Sequence, residues 1–164
     1  MNKSMSAFVA LLSLSVLLGS VKFSAAHPPV ISAVEFGHPG VGSAEAEDTL
    51  NPRTTVVAVG ATVYFGITSR VHGVAIYNAE TRPADIDTSI LIAGGGNCPG
   101  GPRYINDTSN RLAVFNPPCS TNTQTGTVNY TFDQPGRYLV ICTFDTHFNI
   151  RDMYGWVAVK ENKP

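Results

Sequence analysis

The sequence predicts an all-β protein, an antiparallel β-sandwich of roughly seven or eight short strands, on three observations. Runs rich in Val, Ile, Tyr, Phe and Thr recur between residues 54 and 160. Turn signals punctuate them, among them Gly60 and Asp133-Gln134-Pro135-Gly136, where Pro fixes φ and Gly accepts φ > 0. No stretch carries a sustained amphipathic helical period.

The elements follow in chain order. Lys3, the apolar run Phe8–Leu18 and the small residues Ser24-Ala25-Ala26 read as a secretory signal peptide, too short and too poorly flanked for a membrane span. Cleavage after Ala26 would leave one domain, residues 27–164, beginning at His27 and exported to the periplasm, or otherwise secreted. No Cys stands at the cleavage site, so no bacterial lipid anchor is indicated.

Pro28 and Pro29 forbid a helix start, and HPPVISAVEF reads as a first strand. Residues 37–53 read as a long loop with a short helical turn around Ala44–Asp48. Strands are expected at Thr54–Val59, Thr62–Thr68 and His72–Asn78. A polar, Gly-rich insert over residues 80–110 comes next, then strands at Arg111–Phe115, Gly126–Phe132, Arg137–Thr143 and Tyr154–Lys160.

Charge excludes one class of function. Lys3 and Lys22 leave with the leader, so of 11 basic and 12 acidic side chains 9 and 12 remain, a net charge of −3. With no basic run, nothing resembles a nucleic-acid footprint.

The three cysteines are informative because export implies an oxidising compartment. Cys98 in GGGNCPGGP and Cys119 in NPPCSTN lie in similar turn-rich loops. Pairing them closes a loop of about 20 residues, worth roughly 3 kcal/mol in the chain-entropy model. That leaves Cys142, in an apolar run, as the free thiol. A mispaired or simply buried thiol is the alternative.

Between the runs Tyr138–Ile141 and Trp156–Val159 lie Cys142, His147 and Met153: a soft thiolate, an imidazole and a weak thioether. This set suits copper in a trigonal His2Cys site with a long axial Met, and His72 is the available second histidine. Structural zinc would want more thiolates and imidazoles than this chain brings. Residues five apart on a strand face opposite sides, so Cys142 and His147 converge only if Thr143–Thr146 turns. Gly155 then allows close backbone approach where Met153 returns. A nucleophilic Cys142–His147 pair oriented by Asp145 is the enzyme alternative, but no oxyanion-hole element accompanies it.

Two longer segments carry a family resemblance. PRTTVVAVGATVYFGITSRVHGVAIYN resembles the cupredoxin pattern of two strands joined at a Gly, then a His opening the next strand. TFDQPGRYLVICTFDTHFNIRDMYGWVAV resembles the closing Phe-x-x-Pro-Gly-x-Tyr, Cys, His, Met-x-Gly signature of the same plastocyanin/azurin-like type 1 (blue) copper proteins. The resemblance covers Pro52 to Val159 apart from the Gly-rich insert and implies a Greek-key sandwich. It implies one type 1 copper held by His72, Cys142, His147 and axial Met153. Three departures stand out. The gap between His147 and Met153 is longer than the family's. Asp145-Thr146 replace its Pro-Gly. Gly73 stands where an Asn is usual, so a side-chain tie between the two ligand loops is expected to be missing, with Thr143 able to brace that side.

The resemblance implies an exported, monomeric electron carrier that catalyses nothing itself. Redox protein partners would dock near His147, where Phe148, Ile150, Tyr154 and Trp156 offer an apolar patch, though core packing explains at least half of these four equally well. Copper storage, delivery or sensing with the same ligands is the alternative. A weaker one is a copper oxygenase at the N-terminus, using the α-amine and imidazole of His27 with His38 facing them. Asn106-Asp107-Thr108 and Asn129-Tyr130-Thr131 are formal glycosylation sequons.

Overall fold

The structure is a computed structural model that describes residues 32–37, 49–67, 72–93, 103–116 and 126–161. The leader, His27, His38, the helical turn at 44–48 and both cysteines of the expected Cys98–Cys119 bridge lie outside these residues.

Eleven strands are described: β1 (Ser32–Phe36), β2 (Leu50–Asn51), β3 (Thr54–Ala58), β4 (Ala61–Ile67), β5 (Val74–Ala79), β6 (Leu91–Ala93), β7 (Arg103–Ile105), β8 (Arg111–Phe115), β9 (Gly126–Phe132), β10 (Gly136–Cys142) and β11 (Tyr154–Lys160). A single turn of 3-10 helix lies at Pro83–Asp85, and one α-helix, α1, spans Asp145–Arg151. Gly60 makes the β3–β4 turn at φ 83°, a conformation costly for a residue with a Cβ.

Two sheets face one another, in the orders β2-β1-β4-β9 and β3-β11-β10-β5-β8. Alternation on β4 sets the inner face: Ala61, Val63, Phe65 and Ile67 are buried while the residues between them are half-buried. β11 alternates likewise, turning Val157 and Val159 inward. The sheets are mixed rather than wholly antiparallel, because β1 pairs parallel to β4 and β3 parallel to β11. Both parallel pairs join strands far apart in sequence, which leaves no turn signal to reveal them.

The central strands break the alternation. Tyr138 through Cys142 on β10, and Val74 through Tyr77 on β5, are buried on both faces, and an apolar run of this kind needs cover on each side. The inner side packs in the sandwich core, which includes Val140, Val157, Cys142 and Met153. The outer side forms a second cluster of Ala75, Tyr77, Leu139 and Ile141 with Ile86 and Ile105 from the insert and Phe148 from α1. The insert expected as a polar, Gly-rich stretch thus contains an antiparallel ribbon, β6–β7, that acts as a third layer.

A buried carboxylate anchors that layer. Asp107 accepts N–H groups of Asp87 at 2.9 Å and Ser109 at 2.8 Å, and its carbonyl accepts the Tyr77 hydroxyl at 3.2 Å. Burial alone would raise the Asp107 pKa, but these N–H bonds, the Ser109 hydroxyl and the Arg111 charge hold it below the usual carboxylate value. Burial, aided by Asp107, pushes the Tyr77 phenol up to about 12.

Candidate metal centre

Register places three of the candidate ligands at one end of the second sheet. β10 ends at Cys142, which pairs with Val74 at the start of β5, while Ile141 pairs with Tyr154 at the start of β11. Met153 immediately precedes β11, and His72 stands two residues before β5. The fourth candidate, His147, comes from the intervening loop.

That loop turns as expected and then does something the sequence did not signal. From Phe144, α1 runs through His147 to Arg151, and Asp152 closes it in the left-handed conformation at φ 50°, ψ 40°. The Met153 N–H donates back across Asp152 to His147 O at 3.0 Å, which satisfies a helix carbonyl. Asp145 in the first turn and Arg151 in the last complement the helix dipole. The longer gap between His147 and Met153 is therefore the remainder of a helix and its cap, and Met153 returns fully buried.

Main-chain bonds link the segments that carry the candidate ligands to one another. Cys142 N–H donates to Met153 O at 2.9 Å and Thr143 N–H donates to Gly73 O at 3.1 Å. The insert joins them, with Ile105 N–H donating to Thr143 O at 2.7 Å and Tyr104 bridged to Phe144.

The geometry suits a small trigonal metal site. Cys142 Sγ lies 3.5 Å from His72 Nδ1 and 3.8 Å from His147 Nδ1, and the two nitrogens are 3.1 Å apart. A point equidistant from all three atoms lies about 2.0 Å from each, the length of a metal–imidazole bond. Among the described residues this is the one grouping of three or more His, Cys, Asp or Glu ligands that close together. Two imidazole nitrogens and a thiolate form a donor set that favours copper, and the residues present fit it. The Met153 side chain shares the core cluster that contains Cys142.

Surroundings differ among the three. Cys142 and His72 are buried, with His72 only 1% exposed, whereas His147 is half-buried. Phe144 stands edge-on to the His147 ring at 4.4 Å between centroids, and the two imidazole rings lie 4.8 Å apart. Burial, then the Arg151 charge, pushes the His147 pKa down to about 4, so the metal-free imidazole stays neutral near pH 7. Burial and the neighbouring Cys142 raise the Tyr104 phenol.

The structure decides two sequence expectations. The four-residue apolar patch is not a surface: Phe148 is buried in the outer cluster, Tyr154 and Trp156 pack half-buried against it, and only Ile150 projects, 72% exposed. The expected Thr143 brace is present, and its partner lies on a third segment. Asn116, just after β8, accepts the Thr143 hydroxyl at 2.6 Å beside Gly73. Asn116, Phe144, Tyr104 and Ile105 were not singled out in the sequence. A Gly directly after a candidate ligand histidine was the available hint that a neighbour needs the space.

No family model and no curated protein matches the sequence. Solved structures do. Reduced auracyanin from the photosynthetic bacterium Roseiflexus castenholzii aligns with a TM-score of 0.52 at 21% identity, covering 79% of this chain and 96% of that one. Auracyanin B aligns with a TM-score of 0.50 at 19% identity, covering 82% and 91%. Identity this low speaks to shared architecture.

Proposed function

This chain has the cupredoxin fold, and on that premise we propose that it is an exported carrier of single electrons using one type 1 copper. The near-equilateral triangle of Cys142 Sγ, His72 Nδ1 and His147 Nδ1 carries the reading. Copper bound there would supply a one-electron Cu(II)/Cu(I) couple. The other properties belong to the chain itself. Cys142 offers the strong thiolate donor from the end of a fully buried strand. Buried His72 and half-buried His147 would add the two imidazole nitrogens, and Met153 would supply the weak thioether donor.

Rigidity suits this role. The candidate ligand segments are bonded to one another through main-chain groups and packed between two apolar clusters, so the fold's own contacts hold the donor atoms. A site that need not rearrange between oxidation states keeps the reorganisation cost of electron transfer low. Half-buried His147, edged by Phe144 and close in sequence to exposed Ile150, is the port at which a redox protein partner docks. Cleavage after Ala26, a monomeric state and the Cys98–Cys119 bridge complete the proposal.

Copper storage or delivery would use the same ligands but exchange the metal. The helical closure of the Met153 loop and the Asn116 bond argue against a loose site. The test is the visible and EPR spectrum of the chain from His27 loaded with Cu(II), beside Cys142→Ala. An intense thiolate-to-copper band with narrow copper hyperfine splitting, absent from the variant, is the expected result. A pale tetragonal spectrum indifferent to Cys142→Ala would overturn the reading and move the metal towards His27 and His38.

A further inference from the structure

Thr143 follows Cys142 directly, is fully buried, and commits all three of its polar groups to other segments. Its N–H donates to Gly73 O, its carbonyl accepts Ile105 N–H, and its hydroxyl donates to Asn116 Oδ1. The turn that carries His72, the insert ribbon and the end of β8 therefore converge on the residue next to the thiol.

The Asn116 contact needs residue 73 to have no side chain. A Cβ at Gly73 would collide with Thr143 Oγ1 and lie 2.8 Å from Asn116 Oδ1 and 3.0 Å from Phe115 O. Asn116 occupies space that any larger residue after His72 would claim. It also links an edge strand, β8, to both ligand segments, because Thr143 is itself bonded to Gly73.

We propose that Asn116 is a positioning residue for the copper ligands, holding the Cys142 and His72 segments in register through Thr143, with Gly73 as the space that admits it. The proposal rests on the copper reading above. A hydroxyl has one proton to give, and Thr143 gives it to Asn116. What residue 116 must supply is thus an acceptor at that point, which Asp retains and Leu lacks.

The experiment compares wild type, Asn116→Leu, Asn116→Asp, Thr143→Val and the Leu/Val double variant. Copper-loaded samples are read by EPR and by the rate of copper loss to excess chelator. Metal-free samples are read by thermal denaturation. Asn116→Leu and Thr143→Val should each alter the copper hyperfine splitting and release copper about fivefold faster, the ratio one ordinary buried hydrogen bond supports. The double variant should be no worse than either single one, and Asn116→Asp should stay within about twofold of wild type.

Wild-type EPR and release in Asn116→Leu, or effects that multiply in the double variant, would overturn the proposal. If Asn116→Leu does not fold, Asn116→Asp decides: behaviour like Thr143→Val would also overturn it. A wild type lacking the thiolate-to-copper band would instead defeat the copper reading. The metal-free denaturation cycle would still test the tie, since additive losses would refute it.

Discussion

Replacing Ile105 with Ala tests whether the insert is a structural layer bracing the metal loop. Ile105 is fully buried in the outer cluster with Tyr77, Leu139, Ile141 and Phe148, and its N–H holds Thr143 O. Truncating a fully buried aliphatic side chain costs the transfer energy of the lost carbons plus a cavity term, about 3 kcal/mol within a usual range of roughly 2–5. Against a typical domain stability of about 5–15 kcal/mol that is a large fraction, and it corresponds to a fall in Tm of roughly 10 °C. Ile92, in the other strand of the ribbon, is 39% exposed and provides the control. Ile92→Ala should cost less than about 0.5 kcal/mol. Guanidinium denaturation of the metal-free protein can be followed through Trp156, the single tryptophan, which packs against the same cluster. Equal and small losses in the two variants would refute the reasoning, because the ribbon would then be lying on the sheet without packing into it.

Three further outcomes follow from particular contacts. In the metal-free protein the folded state keeps His147 neutral down to about pH 4, whereas an unfolded chain's imidazole takes up a proton near 6.5. The unfolded state therefore binds more protons between those values, and stability should fall as pH drops from about 6.5 towards about 4. Denaturation midpoints at several pH values test this, and a profile no steeper than that of His147→Phe would contradict it. Gly155→Ala should cost about 1–3 kcal/mol, because the added Cβ would collide with Leu50 Cδ2 and meet Arg53 O at 2.5 Å, the acceptor of the Trp156 N–H; denaturant titration checks it, and wild-type stability would contradict it. Met153→Leu preserves volume at a fully buried position and should cost under about 1.5 kcal/mol. Loss of the fourth donor would leave a three-coordinate site, which Cu(I) tolerates better than Cu(II), so the reduction potential should rise while the thiolate band persists. Voltammetry reads this, and an unchanged potential would remove Met153 from the ligand set.

The sandwich was legible because its signals are local. The β-branched and aromatic runs that became β4 and β11 and the turns at Gly60 and Asp133–Gly136 survive into the structure. Cys142 and Met153 were legible for the same reason, standing where apolar strand runs stop and start. Helix α1 was not. Seven residues are too few to show a helical period, Phe144 at its N-cap supplies no capping side chain, and Thr146 and Ile150 are β-branched. What holds it is tertiary: the burial of Phe148 and the closure at Asp152 and Met153.

Strands β6 and β7 escaped notice because three residues cannot establish an alternation. Their existence was nonetheless implied elsewhere. Leu139 and Ile141 on β10, with Ala75 and Tyr77 on β5, offer apolar side chains to the face away from the sandwich, and something in the chain had to cover them. Asn116 left no trace of its own. Its role depends on a pairing between β5 and β8 that no sequence pattern encodes, and only the missing side chain at Gly73 pointed towards it.

Copper K-edge X-ray absorption on the copper-loaded protein tests the central claim most directly, since it counts donor atoms and measures their distances. Two imidazole nitrogens near 2.0 Å and one short sulfur bond, little changed on reduction, are what the three assembled atoms predict. A shell of nitrogen and oxygen alone, with no sulfur, would contradict the claim and separate the metal from Cys142.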